Sequence, residues 1–309
     1  MTVIAVAGGT GGVGKTIVER LSQESNVKLI VLTRSEHGPQ GNIQHVQIDY
    51  SDIPSMTAEL ERHHVHTIIS AIGLVSDETS QSQLNLIEAA ELSSSTKRFI
   101  PSEFSFIQTP ELLPIDPSIQ YWLDAADRLK SSSLTYTRVI PGFFMDYWGM
   151  PHAKTNLQPC VFGIDIANGV AAIPGDGNDV ICMIYTYDLA NYLVRMLELE
   201  DWPEFSVFVG DQVTYNEILA IAEDIKGEKF NTSYDSVDQI NAGSVTVPPM
   251  PSTMGSPEEL KEVTALVSRL TVAGVFDLPK ENRMSDRFPE VRPVKFKEFM
   301  AKCWVEKQP

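Results

Sequence analysis

The strongest constraint on this chain lies in its first fourteen residues. There an apolar run, Thr2-Val3-Ile4-Ala5-Val6-Ala7, gives way to Gly8-Gly9-Thr10-Gly11-Gly12-Val13-Gly14. A β-branched run that ends in glycines and passes into an amphipathic segment reads as a strand, a tight turn and a helix start. The spacing Gly-x-x-Gly-x-x-Gly gives each glycine a task. Gly8 permits the turn, Gly11 lets the backbone approach a ligand, and Gly14 lets the helix pack close to the sheet. The free N–H groups of the first helical turn, aided by the helix dipole, then suit a diphosphate held by Gly8, Thr10, Gly11, Gly12, Val13 and Gly14. Gly9 and Gly14-Lys15-Thr16 also satisfy a phosphate-loop spacing. That loop needs a magnesium-binding acid at a later strand end, and Ile68-Ile69-Ser70-Ala71-Ile72-Gly73 supplies none. A dinucleotide is the expected ligand.

Short apolar runs alternate with longer amphipathic segments through the first half, the pattern of a parallel sheet with crossover helices. Strands are expected at Val3–Ala7, Lys28–Thr33, Gln44–Ile48, Thr67–Ile72, Arg98–Pro101 and Thr135–Ile140. Helices are expected at Gly12–Gln23, Pro54–His63, Gln81–Ser94 and Ser118–Ser131, the last with Leu123, Ala126, Leu129 and Lys130 along one stripe. Beyond Gly142 the rhythm loosens. Helices follow near Asp188–Leu199, Tyr215–Lys226, Pro257–Val275 and Phe296–Cys303, and Ala242–Ser256 reads as a loop or lid. Thr214 and Glu217 form a capping box. The expected fold is α/β: a doubly wound, Rossmann-type sheet over residues 1–150, to which 181–212 returns, and a smaller α+β substrate domain over 151–309.

The second strand decides which dinucleotide fits. An NAD site places Asp or Glu there for the ribose 2′-hydroxyl, whereas this chain has Leu32-Thr33-Arg34, with Glu36 close by. An arginine can clamp a 2′-phosphate with paired N–H bonds, so NADP(H) is expected. Asp49 and Tyr50, ending the third strand, would border the adenine; Ala71, Ile72 and Gly73, ending the fourth, would border the diphosphate.

The chain has 41 acidic against 24 basic residues, a net charge of −17. Such a field opposes nucleic acid and anionic membrane surfaces but leaves room for one anionic ligand in a locally positive pocket. Cys160, Cys182 and Cys303 are dispersed and fit reduced, buried thiols. No apolar stretch approaches the length of a membrane span, and no basic leader precedes the first strand, so a soluble cytoplasmic protein, monomer or homodimer, is expected. His63-His64-Val65-His66 lacks a neighbouring carboxylate or cysteine ligand, so no metal site is expected.

Together with the glycine loop and Leu32-Thr33-Arg34, the segments Pro101-Ser102-Glu103-Phe104 and Pro141-Gly142-Phe143-Phe144 complete a recognisable order. The chain resembles the NmrA-like and isoflavone-reductase-like branch of the atypical short-chain dehydrogenases, with fungal members most similar through Asn216-Glu217-Ile218-Leu219 and Asp146-Tyr147. The resemblance implies a Rossmann domain, a smaller substrate domain and a cleft between them. It implies that Arg34 holds the 2′-phosphate and that Pro141, Gly142 and Phe143 lie against the nicotinamide.

Two departures bear on the chemistry. Tyr121, Tyr136, Tyr147, Tyr185, Tyr187 and Tyr192 are followed four residues on by Ala125, Ile140, Pro151, Leu189, Asn191 and Met196, so no Tyr-x-x-x-Lys proton relay exists among them. The lysine that the resembling reductases use falls, by ungapped count, on Trp122. Tyr121, Tyr147 and Lys154 remain as candidate proton donors. Ser102, Phe104, Trp122, Phe144, Tyr147, Trp148 and His152 are the candidate substrate-lining residues; the aromatic patch at 143–150 follows the strand break at Pro141-Gly142. Ser102 and Glu103 would face the cofactor. Three readings stand: an NADPH-dependent reductase of a small aromatic or polycyclic molecule, whose acceptor could be an iminium or quinone-like ring; an NADP(H)-binding sensor without turnover; or a non-redox isomerase or cyclase.

Overall fold

A computed structural model describes residues 1–35, 38, 43–250 and 255–306. The chain divides into two compact units. The first comprises Met1–Ile140 with Leu189–Ser206, the second Pro141–Asp188 with Val207–Pro309.

The first unit is built on a parallel sheet: β1 (Thr2–Ala7), β2 (Val27–Thr33), β3 (Gln44–Gln47), β4 (Thr67–Ser70), β5 (Arg98–Ile100) and β6 (Thr135–Tyr136). Its order is β3-β2-β1-β4-β5-β6, a doubly wound sheet that reverses direction beside β1. Register pairs Ala7 with Leu32 on one side and with Ser70 on the other. The ends of β1, β2 and β4 therefore lie level at one edge. The helices α1 (Gly12–Leu21), α2 (Ile53–Arg62), α3 (Asp77–Leu92) and α4 (Gln120–Lys130) connect the strands. Ala5, Ile30, Ile68, Leu86, Ala90, Phe99 and Leu129 share one core, which accounts for the unbroken apolar strands.

Several boundaries differ from expectation for local reasons. Helix α3 begins at Asp77 because Ser76 and Thr79 close a capping box. Helix α4 is preceded by a 3₁₀ turn, Pro117–Ile119, and its buried residues are Ala125 and Leu129, with Lys130 exposed. The expected sixth strand divides. Thr135–Tyr136 pairs with β5, while β7 (Arg138–Ile140) turns elsewhere, the Arg138 N–H donating to the Glu204 carbonyl at 2.7 Å. The Thr137 and Ser206 hydroxyls meet at 2.7 Å beside this break.

The second unit holds β8 (Phe143–Phe144), α5 (Asp146–Gly149), β9 (Ile164–Asp165), β10 (Val170–Pro174) and β11 (Val180–Ile184). In chain order, α6 (Thr186–Leu197) carries the chain back to the first unit, and β12 (Phe205–Val207) follows. The second unit continues with β13 (Asp211–Thr214), α7 (Tyr215–Lys226), β14 (Asn231–Asp235), α8 (Val237–Asn241), α9 (Pro257–Val272) and α10 (Phe296–Ala301). Strand β14 and helix α8 lie between Lys226 and Ala242, a stretch for which no element was expected. Asn231–Asp235 is polar, yet it pairs in parallel with β10 in full register, so the ladder outweighs local propensity. Helix α7 and its Thr214–Glu217 box stand as expected. The Ala242–Ser256 loop lies only partly within the described residues. Cys160, Cys182 and Cys303 are free and buried. Among the described residues, no helix is long and apolar enough to cross a membrane, and no three metal-ligating side chains cluster.

Candidate active site

The turn after β1 is shaped by two close approaches. Gly8 takes φ +75°, and a Cβ built there would lie 2.3 Å from the Ala71 carbonyl oxygen. A Cβ on Gly14 would lie 2.4 Å from the Gly8 carbonyl oxygen and 2.9 Å from Ala71 Cβ. Only glycine fits either place, so α1 starts hard against the ends of β1 and β4. Gly11 and Gly12 differ: Cβ atoms there meet nothing within 4 Å. The rim of the turn is therefore open, as a cradle must be.

No side chain caps α1, and its first turn carries no acid. Helices α2, α3, α7 and α9 are capped by Asp52, Ser76, Thr214 and Ser256. The N–H groups at the start of α1 are thus left for an anionic ligand, and the residues present fit a dinucleotide diphosphate. Lys15 is exposed and Thr16 fully buried.

A cavity of about 720 Å³ in the first unit gathers Arg34, Asp49 and Tyr50 with Ser51, Gln81 and Asn85. Among the described residues, Arg34, exposed at the end of β2, is the one lysine or arginine lining it, and Glu59 and Glu78 also line it. Asp49 accepts from the Ser51 hydroxyl at 2.6 Å and N–H at 2.8 Å, which holds its carboxyl below the usual range. Burial pushes the Tyr50 phenol up, with Arg34 opposing. Asn85 donates to the Tyr50 carbonyl at 2.8 Å. Sequence reasoning missed Gln81 and Asn85, although their separation by four residues near the start of α3 was a usable signal.

After β5, Ser102 and Glu103, expected to face the cofactor, are both bonded within the protein. The Ser102 hydroxyl donates to the Ile72 carbonyl at 2.8 Å, and its N–H to Gln83 Oε1 at 2.9 Å. Its own carbonyl receives the Trp122 indole N–H at 2.8 Å. Glu103 is buried against Arg138, with Nε donating to Oε1 at 2.6 Å. Burial raises Glu103 to about 7, with Arg138 opposing. Phe104 is buried at φ +48°, its N–H bonded to the Val139 carbonyl. Trp122 and Ser102 are thus bonded to one another, and Phe104 is held on Val139.

The three candidate donors separate by environment. The Tyr121 phenol is exposed and donates to Asp77 at 2.7 Å. Lys154 is exposed, with Nζ 4.4 Å from the Tyr187 ring centroid. Tyr147, in the second unit, packs edge-on against Phe162 at 4.7 Å and Phe143 at 6.1 Å, and burial keeps its phenol protonated. His63 lies 3.5 Å from Glu59, and His66 Nδ1 2.9 Å from the Thr67 hydroxyl.

Within the second unit, Gly142 takes φ +71° over the Cys182 carbonyl, where a Cβ would clash at 2.2 Å. This turn carries Pro141 and Phe143, whose ring packs at 4.9 Å from both Phe162 and Phe276. Phe143, Phe144 and Trp148 are buried, so the patch is largely core. Tyr147, Trp148 and Met150 also line a cavity of about 600 Å³ with Cys160, Ile164 and Trp304. His152 packs edge-on against Trp304 at 5.0 Å. Asp146 anchors this region, accepting from the Thr186 N–H and hydroxyl and from the Thr155 hydroxyl.

A family model described as NAD(P)H-binding matches residues 8–158. The chain is 37% identical over 233 residues to oxidoreductase BOA1 of Botryotinia fuckeliana, covering 74% of this chain and 78% of that one. It is 23% identical to the isoflavone reductase homolog A622 of Nicotiana glauca, covering 77% and 78% of the two chains. Its fold matches the solved structure of AtPrR2 with NADP+ and (+)pinoresinol at a TM-score of 0.72, with 19% identity and 97% of each chain covered.

The sheet order and the open glycine turn define a Rossmann-type NAD(P)H-binding protein. More particularly, the chain belongs to the NmrA-like, isoflavone-reductase-like family of oxidoreductases.

Proposed function

We propose that the chain is an NADPH-dependent reductase of a small aromatic or polycyclic, secondary-metabolite-like molecule. In this reading the first unit holds the dinucleotide and the second takes the substrate. The observation that carries it is the uncapped, open start of α1 together with a strand-end cavity of the same unit that Arg34 lines. The N–H groups of α1 bind the diphosphate and Arg34 pairs with the 2′-phosphate. The structural neighbour AtPrR2, solved with NADP+ and (+)pinoresinol, supports both halves of the proposal.

When bound, the dinucleotide supplies a hydride. Tyr147 is the donor the surroundings favour, because it lines the apolar cavity and burial keeps its proton in place. Tyr121 is committed to Asp77, and Lys154 stands in solvent. The apolar part of the lining, Trp148, Met150 and Ile164 among it, suits ring systems.

One observation favours a second reading, in which NADP(H) is bound without turnover: Trp122, on which the resembling reductases' lysine falls by ungapped count, has its indole already bonded to Ser102. A thermal shift with NADPH, NADH and neither tests cofactor choice. A hundredfold excess over Kd stabilises by about 2.7 kcal/mol, and NADPH is expected to give the larger shift; equal shifts defeat the arginine argument. Oxidation of NADPH against aromatic carbonyl, quinone and iminium acceptors separates the reductase from the sensor.

A further inference from the structure

The buried pair Glu103–Arg138 serves neither the cradle nor the cavity described above. Its side chains are 1% and 4% exposed, and a single bond joins Arg138 Nε to Glu103 Oε1 at 2.6 Å. Glu103 Oε2 is buried without a hydrogen-bond partner, and so is Gln108 Oε1. Arg138 reaches both residues, its Nη2 lying 3.5 Å from the Gln108 carbonyl, while its guanidinium covers the Phe205 ring at 4.8 Å. Two buried acceptor oxygens therefore sit on the residues around one arginine, and neither has a donor. Leaving such atoms unfilled is costly. A proton on Oε2 neutralises the buried carboxylate and keeps the Oε1 bond to Arg138.

The pair is joined to the proposed cofactor turn by short links. Glu103 follows Ser102, whose hydroxyl bonds the Ile72 carbonyl at 2.8 Å. Ala71, which precedes Ile72, bonds Ala7 and abuts Gly8. We propose that Glu103 is a proton-linked positioning residue for the dinucleotide: binding of the anionic cofactor draws a proton from solvent onto Glu103 Oε2, while Ser102 holds Ile72 and the turn beside Gly8 in place. Protonation leaves Arg138 as an uncompensated interior cation, which an arriving diphosphate stabilises. Among the described residues, Arg138 on β7 is the one charged group that acts on Glu103, and Glu103 titrates near neutrality because burial raises it to about 7. This inference rests on the cofactor reading above.

The test is calorimetry of NADPH and NADH binding at pH 7, in two buffers of different ionisation enthalpy, on wild type and Glu103→Gln. The glutamine keeps the acceptor for Arg138 and offers an N–H in place of Oε2. Wild type is expected to take up a fraction of a proton more than Glu103→Gln with either nucleotide. Affinities should agree within about threefold at pH 6 and diverge toward pH 8, with wild type the weaker. NADH, which lacks the 2′-phosphate and its own titration, keeps the measurement decisive on wild type alone should the variant fold poorly; zero net uptake there overturns the proposal. Equal uptake or parallel pH profiles in two proteins that both bind overturn it while leaving the cofactor reading intact. Absence of binding heat with any nicotinamide nucleotide overturns both.

Discussion

The Trp122 indole N–H donates to the Ser102 carbonyl oxygen at 2.8 Å, tying the start of α4 to the end of β5. The indole therefore acts as a clamp between the two elements. Trp122→Phe removes the donor and leaves the Ser102 carbonyl unpaired. The expected loss is about 1–2 kcal/mol of stability by chemical denaturation, with NADPH affinity nearly unchanged. A collapse of cofactor binding in a folded Trp122→Phe protein would show a direct role instead.

The glycines of the turn are predicted to separate stability from binding. Gly14→Ala drives a Cβ into the Gly8 carbonyl and should cost at least about 2 kcal/mol or prevent folding. Gly11→Ala meets open space from extended backbone at φ −151°. Its melting temperature should stay near wild type while NADPH binding weakens at least about tenfold, because the methyl occupies the ligand's approach. Unchanged affinity in Gly11→Ala would place the ligand elsewhere.

Arg34→Ala should erase the preference for NADPH over NADH and leave NADH binding little changed. A charge-assisted pair of this kind is worth about 1.5–3 kcal/mol, roughly ten- to a hundredfold in Kd. Titration calorimetry with both nucleotides reads the ratio. A preference that survives the substitution assigns the 2′-phosphate to another group.

If Tyr147 gives the proton, Tyr147→Phe retains the ring packing on Phe143 and Phe162 and loses only the hydroxyl. Turnover with a working acceptor should fall about 10²–10⁴-fold while NADPH affinity holds. Full activity would mean that the acceptor needs no acid from Tyr147.

Asp188 carries a pH dependence in the second unit. Burial raises its carboxyl to about 6, with the Val294 N–H, donated at 2.9 Å, opposing and the nearby Asp146 adding to the rise. The folded state holds a proton that the unfolded chain releases near 3.9. The contribution of Asp188 to stability therefore falls as pH rises from about 4 to about 6, by at most about 3 kcal/mol. Asp188→Asn keeps an acceptor for Val294 and should gain stability relative to wild type at pH 7 but not at pH 4. Parallel melting curves across that range contradict this.

Much of the first unit was legible because parallel strands buried on both faces leave continuous apolar runs, and because the glycine spacing answers to close contacts with fixed partners. Ala71 and the Gly8 carbonyl explain Gly8 and Gly14 in the structure as the spacing implied. The second unit was less readable. Its polar strand Asn231–Asp235 is specified by pairing with β10, a partner some sixty residues earlier whose identity no local pattern carries. The donor question had the same obstacle: Tyr121, Tyr147 and Lys154 were alike by type and nearness, and differ only in what surrounds them.

By itself the sequence determined the sheet type, the turn that opens α1 and an arginine where NAD-binding chains have an acid, since each follows from backbone sterics and short-range periodicity. Tertiary structure alone decided that Ser102 faces Ile72, that Trp122 is bonded, and that Glu103 lies buried on Arg138. Those outcomes depend on which distant groups share a low-dielectric interior, and burial and hydrogen-bond partnership are properties of the assembled fold.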